Sequence, residues 1–143
     1  MARLTILMGA PGAGKSTWAR GAKHGEIVST EAARADPESG GETMRAAYRR
    51  IHELLAAGED VVFDTTGTSG IRKAALGIAR KYGAEADAHV FDPPVEACLA
   101  AQRGRAHPVP EEKVRRYHAD IRRQIADLER EGFSSVRVTR RSF

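Results

Sequence analysis

Apolar positions fall into two patterns along the chain: short unbroken runs, and longer stretches that repeat about every 3.6 residues. Leu4–Met8 is an unbroken run and predicts a buried strand, followed by a helix from about Lys15 to Lys23. Ile27 and Val28 predict a second strand over Glu26–Ser29. Glu31–Gly41 is polar with Pro37, Gly40 and Gly41, and predicts a loop with at most one helical turn. Met44, Ala47, Tyr48, Ile51, Leu54 and Leu55 then keep helical spacing over Thr43–Ala57, and Gly58 stops the helix. Asp60–Asp64 is apolar between its acids, as a central parallel strand should be. Ser69 is placed to cap a helix ending near Tyr82 and Gly83. Ala88–Phe91 predicts a fourth strand, and Pro94 suits the first turn of a helix carrying Cys98. Arg103–Pro110 is a loop. Pro110–Glu131 is a long helix with Val114, Tyr117, Ile121, Ile125 and Leu128 on one side and Arg115, Arg116, Arg122, Arg123 and Arg130 on the other. Val136–Thr139 closes the series as a strand. Strands alternate with helices throughout. The expected fold is therefore α/β, a doubly wound parallel sheet of about five strands with helices on both faces.

Ligands of such sheets sit at the carboxyl ends of the strands. After the first strand comes Gly9-Ala-Pro11-Gly12-Ala13-Gly14-Lys15-Ser16-Thr17, a full match to G-x-x-x-x-G-K-[ST] between a strand and a helix. Glycines let successive N–H groups turn inward onto phosphate oxygens, and the helix N-terminus adds partial positive charge. Lys15 suits the β- and γ-phosphates, Ser16 offers a hydroxyl to Mg²⁺, and Thr17 is within reach of the α-phosphate. This is a P-loop for a nucleoside triphosphate, with ATP the expected phosphate donor, and it is silent on the acceptor.

Three further groups follow predicted strands or precede the long helix. Asp64, with Thr65, ends the third strand and is a candidate for the Mg²⁺ shell or the acceptor, or else a strand-end helix cap. Glu31 and Arg34 follow the second strand, one helical turn apart. There a carboxylate can serve as general base toward a hydroxyl acceptor and Arg34 can steady a phosphate; a helix-start acid with an exposed arginine is the alternative. Arg103 and Arg105, hinged by Gly104 and bounded by Pro108 and Pro110, read as an Arg-rich lid over about 103–110, or as a solvated turn. A closing arginine would stabilise charge developing on the transferred phosphoryl group. The histidines show no metal-ligand spacing.

Composition narrows the picture. One cysteine, Cys98, excludes an internal disulfide, and its helical position beside Leu99 suits core packing. No apolar run approaches the roughly 18–20 residues of a membrane span. A single domain over 1–143 in the cytoplasm, away from membranes, is the expectation. Net charge is +4 and lies toward the end: eleven Lys+Arg face six Asp+Glu from Arg103 to Phe143, against 12 and 13 in residues 1–102. That asymmetry suits a polyanionic partner, or describes a solvated arginine face.

Taken together these residues resemble the P-loop polynucleotide 5′-hydroxyl kinases, as in the kinase domain of phage polynucleotide kinase. The likeness runs through Gly9–Arg20, including Trp18-Ala19-Arg20, through Glu31-Ala-Ala-Arg34 where the family has D-x-x-R, and through Asp64-Thr65. It continues through Val90-Phe91-Asp92-Pro93-Pro94 and the lid with Val109-Pro110. The resemblance implies Mg²⁺-dependent transfer of the ATP γ-phosphate to a 5′-hydroxyl of DNA or RNA. It implies Glu31 as the base, with Arg34 and a lid arginine on the phosphates. A kinase for another hydroxyl, such as a hydroxymethylated base, nucleoside or small molecule, is the near alternative. A nucleotide switch or ATPase is the distant one. It is disfavoured because no guanine-specifying N/T-K-x-D appears and no Gln follows Asp64 to orient water. The spare arginine face leaves room for a nucleic acid or for a homo-oligomer.

Overall fold

A computed structural model of the chain describes residues 2–21, 25–30, 40–65 and 67–141. The strands β1 (Arg3–Gly9), β2 (Glu26–Ser29), β3 (Val61–Asp64), β4 (Glu85–Phe91) and β5 (Ser135–Thr139) form one sheet in the order β2-β3-β1-β4-β5. Every pairing is parallel. Between the strands lie α1 (Lys15–Gly21), α2 (Gly40–Ala56), α3 (Ser69–Lys81), α4 (Val95–Arg103) and α5 (Glu111–Leu128).

The unbroken apolar runs arise because the central strands are covered on both faces. Leu4, Ile6, Val61 and Phe63 pack against Ile51, Leu54 and Leu55 of α2 and Ala75, Leu76 and Ala79 of α3. Their alternate neighbours Leu7, Val62 and Phe91 pack against Ala19 of α1 and Cys98 and Leu99 of α4. The long helix α5 joins that second cluster through Val114 and then meets Met8, Ala88 and Val90 through Ile121 and Leu128. Both layers of the doubly wound arrangement are thus built from the alternation of the strands.

Register positions the functional ends. β1 is flanked by β3 and β4, with Leu7 opposite Asp64 and Gly9 opposite Phe91. The loop after β1 therefore emerges beside Asp64, and the chain's turn from the β3 side to the β4 side opens a crevice there.

Several boundaries differ from the sequence pattern, α5 among them, ending at Leu128. β4 starts at Glu85, three residues earlier than its apolar run, because Glu85 and Asp87 are held by Arg3 across the strand pair and Asp87 also accepts from Ser135. α3 has Thr68 at the N-cap and Ser69 as its first residue, with no side-chain cap bond, so Ser69 is not the cap. α2 starts at Gly40, ahead of its apolar period. Pro94 and Pro110 occupy the N-cap positions of α4 and α5, just outside the first turns.

Candidate active site

The β1–α1 loop folds as a phosphate cradle. The Ala13 N–H bonds the Ala10 carbonyl at 3.0 Å and closes a tight turn. Gly12 sits at φ 86°, and a Cβ there would lie 2.6 Å from the Cys98 carbonyl of α4, so glycine is required both for the turn and for close packing. The first N–H groups of α1 have no intrahelical acceptor. Lys15, Ser16 and Thr17 carry them and line a pocket of about 330 Å³ with Pro11, Gly12, Ala13, Gly14, Arg20, Ala101 and Arg105.

Lys15 is buried, and its ammonium donates to the carbonyls of Gly9 at 2.7 Å and Thr65 at 3.1 Å. It thus links the loops after β1 and β3. Beside it the Ser16 hydroxyl donates to Asp64 Oδ2 at 2.7 Å. Asp64 Oδ1 and Thr65 Oγ1 are buried without a hydrogen-bond partner. A buried, half-satisfied carboxylate next to a hydroxyl is an oxygen-only donor set. It fits Mg²⁺, which takes one or two protein oxygens and completes its shell with water and phosphate. By this chemistry Ser16 and Asp64 are the described residues that would hold Mg²⁺.

The structure separates the two lid arginines. Both are exposed, but Arg105 lines the phosphate pocket, whereas Arg103, the last residue of α4, lies outside the lining. The 103–110 segment is held at both ends by buried Gln102. The Arg105 N–H bonds the Gln102 carbonyl at 3.1 Å, and Val109 N–H donates to Gln102 Oε1 at 2.9 Å. Glu31 and Arg34 lie outside the described residues.

Some functional residues were not evident from the sequence. Arg20 lines the pocket because it stands one turn beyond Thr17 on α1, an i,i+3 relation that could have placed it there. Gln102 gave no signal, being a polar residue at the end of an otherwise ordinary helix. Asp92, seen only as part of a motif, is buried beside two arginines and a histidine. Arg140 donates to it at 2.6 Å, Arg122 lies at 3.4 Å and His118 at 3.5 Å, while His118 also donates to the Pro93 carbonyl at 2.7 Å. Asp92 thereby ties the ends of β4 and β5 to α5. Cys98 is free and fully buried, and burial pushes its thiol above the ordinary value, helped by Asp92. It is core filling rather than a reactive nucleophile.

The arginine face of α5 is largely matched by acids. Arg115 pairs with Glu111 and Glu96, Arg122 with Asp92, Arg123 with Asp120 and Arg130 with Asp127. No helix among the described residues is long and apolar enough to cross a membrane.

Comparison with known proteins places this geometry. The model of a family described as an AAA domain, AAA_33, matches residues 4–128. No curated protein matches the sequence. Among solved structures, a chain of the Pnkp1/Rnl/Hen1 RNA repair complex superposes with a TM-score of 0.77 at 21% identity, covering 88% of this chain and 46% of that one. A sugar kinase from Janibacter sp. HTCC2649 gives 0.60 at 18%, covering 85% and 78%. The Mycobacterium tuberculosis APS kinase CysC, in complex with AMPPNP and APS, gives 0.52 at 16%, covering 72% and 69%. The fold is that of the P-loop kinases, and the chain spans about half the length of the first of these relatives.

Proposed function

The chain belongs to the AAA domain family AAA_33, and from that premise we propose that it is an ATP-dependent phosphotransferase acting on the 5′-hydroxyl end of DNA or RNA. The observation that carries the reading is convergence: the Ser16–Asp64 hydrogen bond joins the phosphate loop to the acid after β3, and Arg105 enters the same pocket. An arginine lining the phosphate pocket is placed to stabilise charge developing in phosphoryl transfer.

In this reading the backbone of Gly12–Thr17 and Lys15 bind the triphosphate, and Lys15 exchanges its bonds to Gly9 and Thr65 for phosphate oxygens. Ser16 and Asp64 would hold Mg²⁺, which would neutralise charge on the phosphates. Glu31 takes the proton of the acceptor hydroxyl as its oxygen bonds to the γ-phosphorus and the bond from that phosphorus to the β-phosphate oxygen breaks. Arg34 orients the phosphates, and Arg105 stabilises charge on the transferred and leaving groups. A 5′ end as acceptor is supported by the motif resemblance and by the likeness to the RNA repair complex. A small hydroxyl acceptor is the second reading. It is favoured by the acid-matched arginine face and by the likeness to sugar and APS kinases.

The test incubates the protein with γ-labelled ATP, Mg²⁺ and separate acceptors: 5′-hydroxyl oligonucleotides of DNA and RNA, duplex with hydroxymethylated bases, nucleosides and sugars. Label at a 5′ end, removable by a 5′-phosphatase and lost in Glu31→Ala, is the expected result. Label only on a modified base or small molecule would move the assignment to the second reading. Release of phosphate with no labelled acceptor would sink both.

A further inference from the structure

One buried charge has no part in the reaction as written. Arg72, on the first turn of α3, is 1% exposed, yet its guanidinium makes four hydrogen bonds. Nε and Nη2 donate to the two carboxylate oxygens of Glu131 at 2.8 and 2.7 Å. Nη1 donates to Gln124 Oε1 and to the Gly67 carbonyl, each at 2.7 Å. Glu131 and Gln124 accept three of its five N–H donors. The bond to Gly67 reaches further, into the loop that follows Asp64.

That loop is held at two carbonyls by two buried cations. Lys15 holds Thr65, next to Asp64, and Arg72 holds Gly67. Gly67 has φ 75° and lies directly on the end of β1. A Cβ there would collide with the Met8 side chain and stand 3.1 Å from the Leu7 carbonyl. Gly67 therefore has little freedom while Arg72 is in place. Gln124 lies on α5 and Glu131 in the turn after it, so the same guanidinium ties the loop to the helix that follows the lid.

We propose that Arg72 is a positioning residue that fixes Gly67, and so aims the free Asp64 oxygen and the Thr65 hydroxyl at the metal of the triphosphate. The inference rests on the phosphotransferase reading for its metal. Groups that orient a metal's ligands alter affinity or rate by about 10- to 100-fold when lost. Lysine keeps the charge but cannot span Glu131 and Gly67 together, because it lacks the planar fork.

The experiment measures ATP affinity of the full chain with and without Mg²⁺, together with hydrogen exchange of the amides from 64 to 70. Wild type is compared with Arg72→Lys, Arg72→Met, Glu131→Gln and, as a destabilised control, Leu54→Ala, which removes core contacts of α2 near the start of β3. In Arg72→Lys, affinity without metal should stay within about twofold, and the gain from Mg²⁺ should fall about tenfold. Exchange at 64–70 should speed up, while Leu54→Ala keeps the metal response of wild type. If Arg72→Met fails to fold, Arg72→Lys and Glu131→Gln carry the comparison. An unchanged metal response and unchanged exchange in Arg72→Lys would overturn the proposal. So would the same metal loss in Leu54→Ala, or wild-type ATP binding indifferent to Mg²⁺. A wild type that shows metal-dependent ATP binding but labels no acceptor would fail the phosphotransferase reading while leaving this comparison intact.

Discussion

At the residue scale, the two arginines of the lid are two positions apart and differ in place. Arg105 shares a pocket with Lys15 and Ser16, whereas Arg103 ends α4 outside it. Arginines that stabilise charge in phosphoryl transfer are worth about 10³-fold or more in rate. Arg105→Ala is therefore expected to lower kcat by about that factor with little change in ATP affinity, and Arg103→Ala to stay within about threefold of wild type. Single-turnover transfer rates on both variants check this, and the opposite ranking would return the role to Arg103. The motif from Gly9 to Thr17 could be read directly from the sequence, because its residue types are dictated by backbone geometry and charge. Which lid arginine enters could not. That depends on Gln102 pinning Val109 and Arg105, a contact no local pattern encodes. Arg72 was hidden for the same reason: on a helix of ordinary polarity, nothing marks an arginine whose partners lie 52 and 59 residues away.

At the element scale, helices and strands followed hydrophobic period closely wherever a face is buried. β2 is where the run of Ile27 and Val28 placed it. β4 exceeded its run because Arg3 neutralises Glu85 and Asp87, and an ion pair between neighbouring strands leaves no trace in hydropathy. α4 shows what burial does to a titrating group. Its inward face carries Cys98 and Leu99 against Gly12 and Leu7, and desolvation raises the Cys98 thiol above its ordinary value of 9.0. The folded thiol then keeps its proton at pH values where the unfolded chain has released it. This contribution to stability is present in full below the ordinary value and is lost as pH rises through the raised one. Urea unfolding should accordingly show stability falling above about pH 9, with a smaller fall in Cys98→Ala. An identical alkaline slope in that variant would show that Cys98 does not titrate across the folding transition.

At the scale of the whole molecule, the question is how strongly a net positive C-terminal third attracts a polyanion. The count of charges suggests a strong basic surface, but the fold spends most of the α5 arginines on acids of α5 itself, on Glu96 and on Asp92. Among the lid and α5 cations, those with no acidic partner among the described residues are Arg103, Arg105, Lys113 and Arg116. If these four meet phosphates of a single strand, the logarithm of the binding constant should fall against the logarithm of salt with a slope of about −3, from roughly 0.7 per contact. Were all the arginines of that face engaged, the slope would be about −5 or steeper. Fluorescence titration of a 5′-hydroxyl oligonucleotide over a range of NaCl distinguishes these outcomes. Arg116→Gln should make the slope shallower by about 0.7, and Arg123→Gln, whose guanidinium is already held by Asp120, should leave it unchanged. A steep slope that Arg123→Gln reduces would mean that the intramolecular ion pairs open for nucleic acid. Exposed pairs are worth only about 0–1 kcal/mol, so what keeps them closed is the absence of a better-placed phosphate. A slope near zero would instead favour a small acceptor.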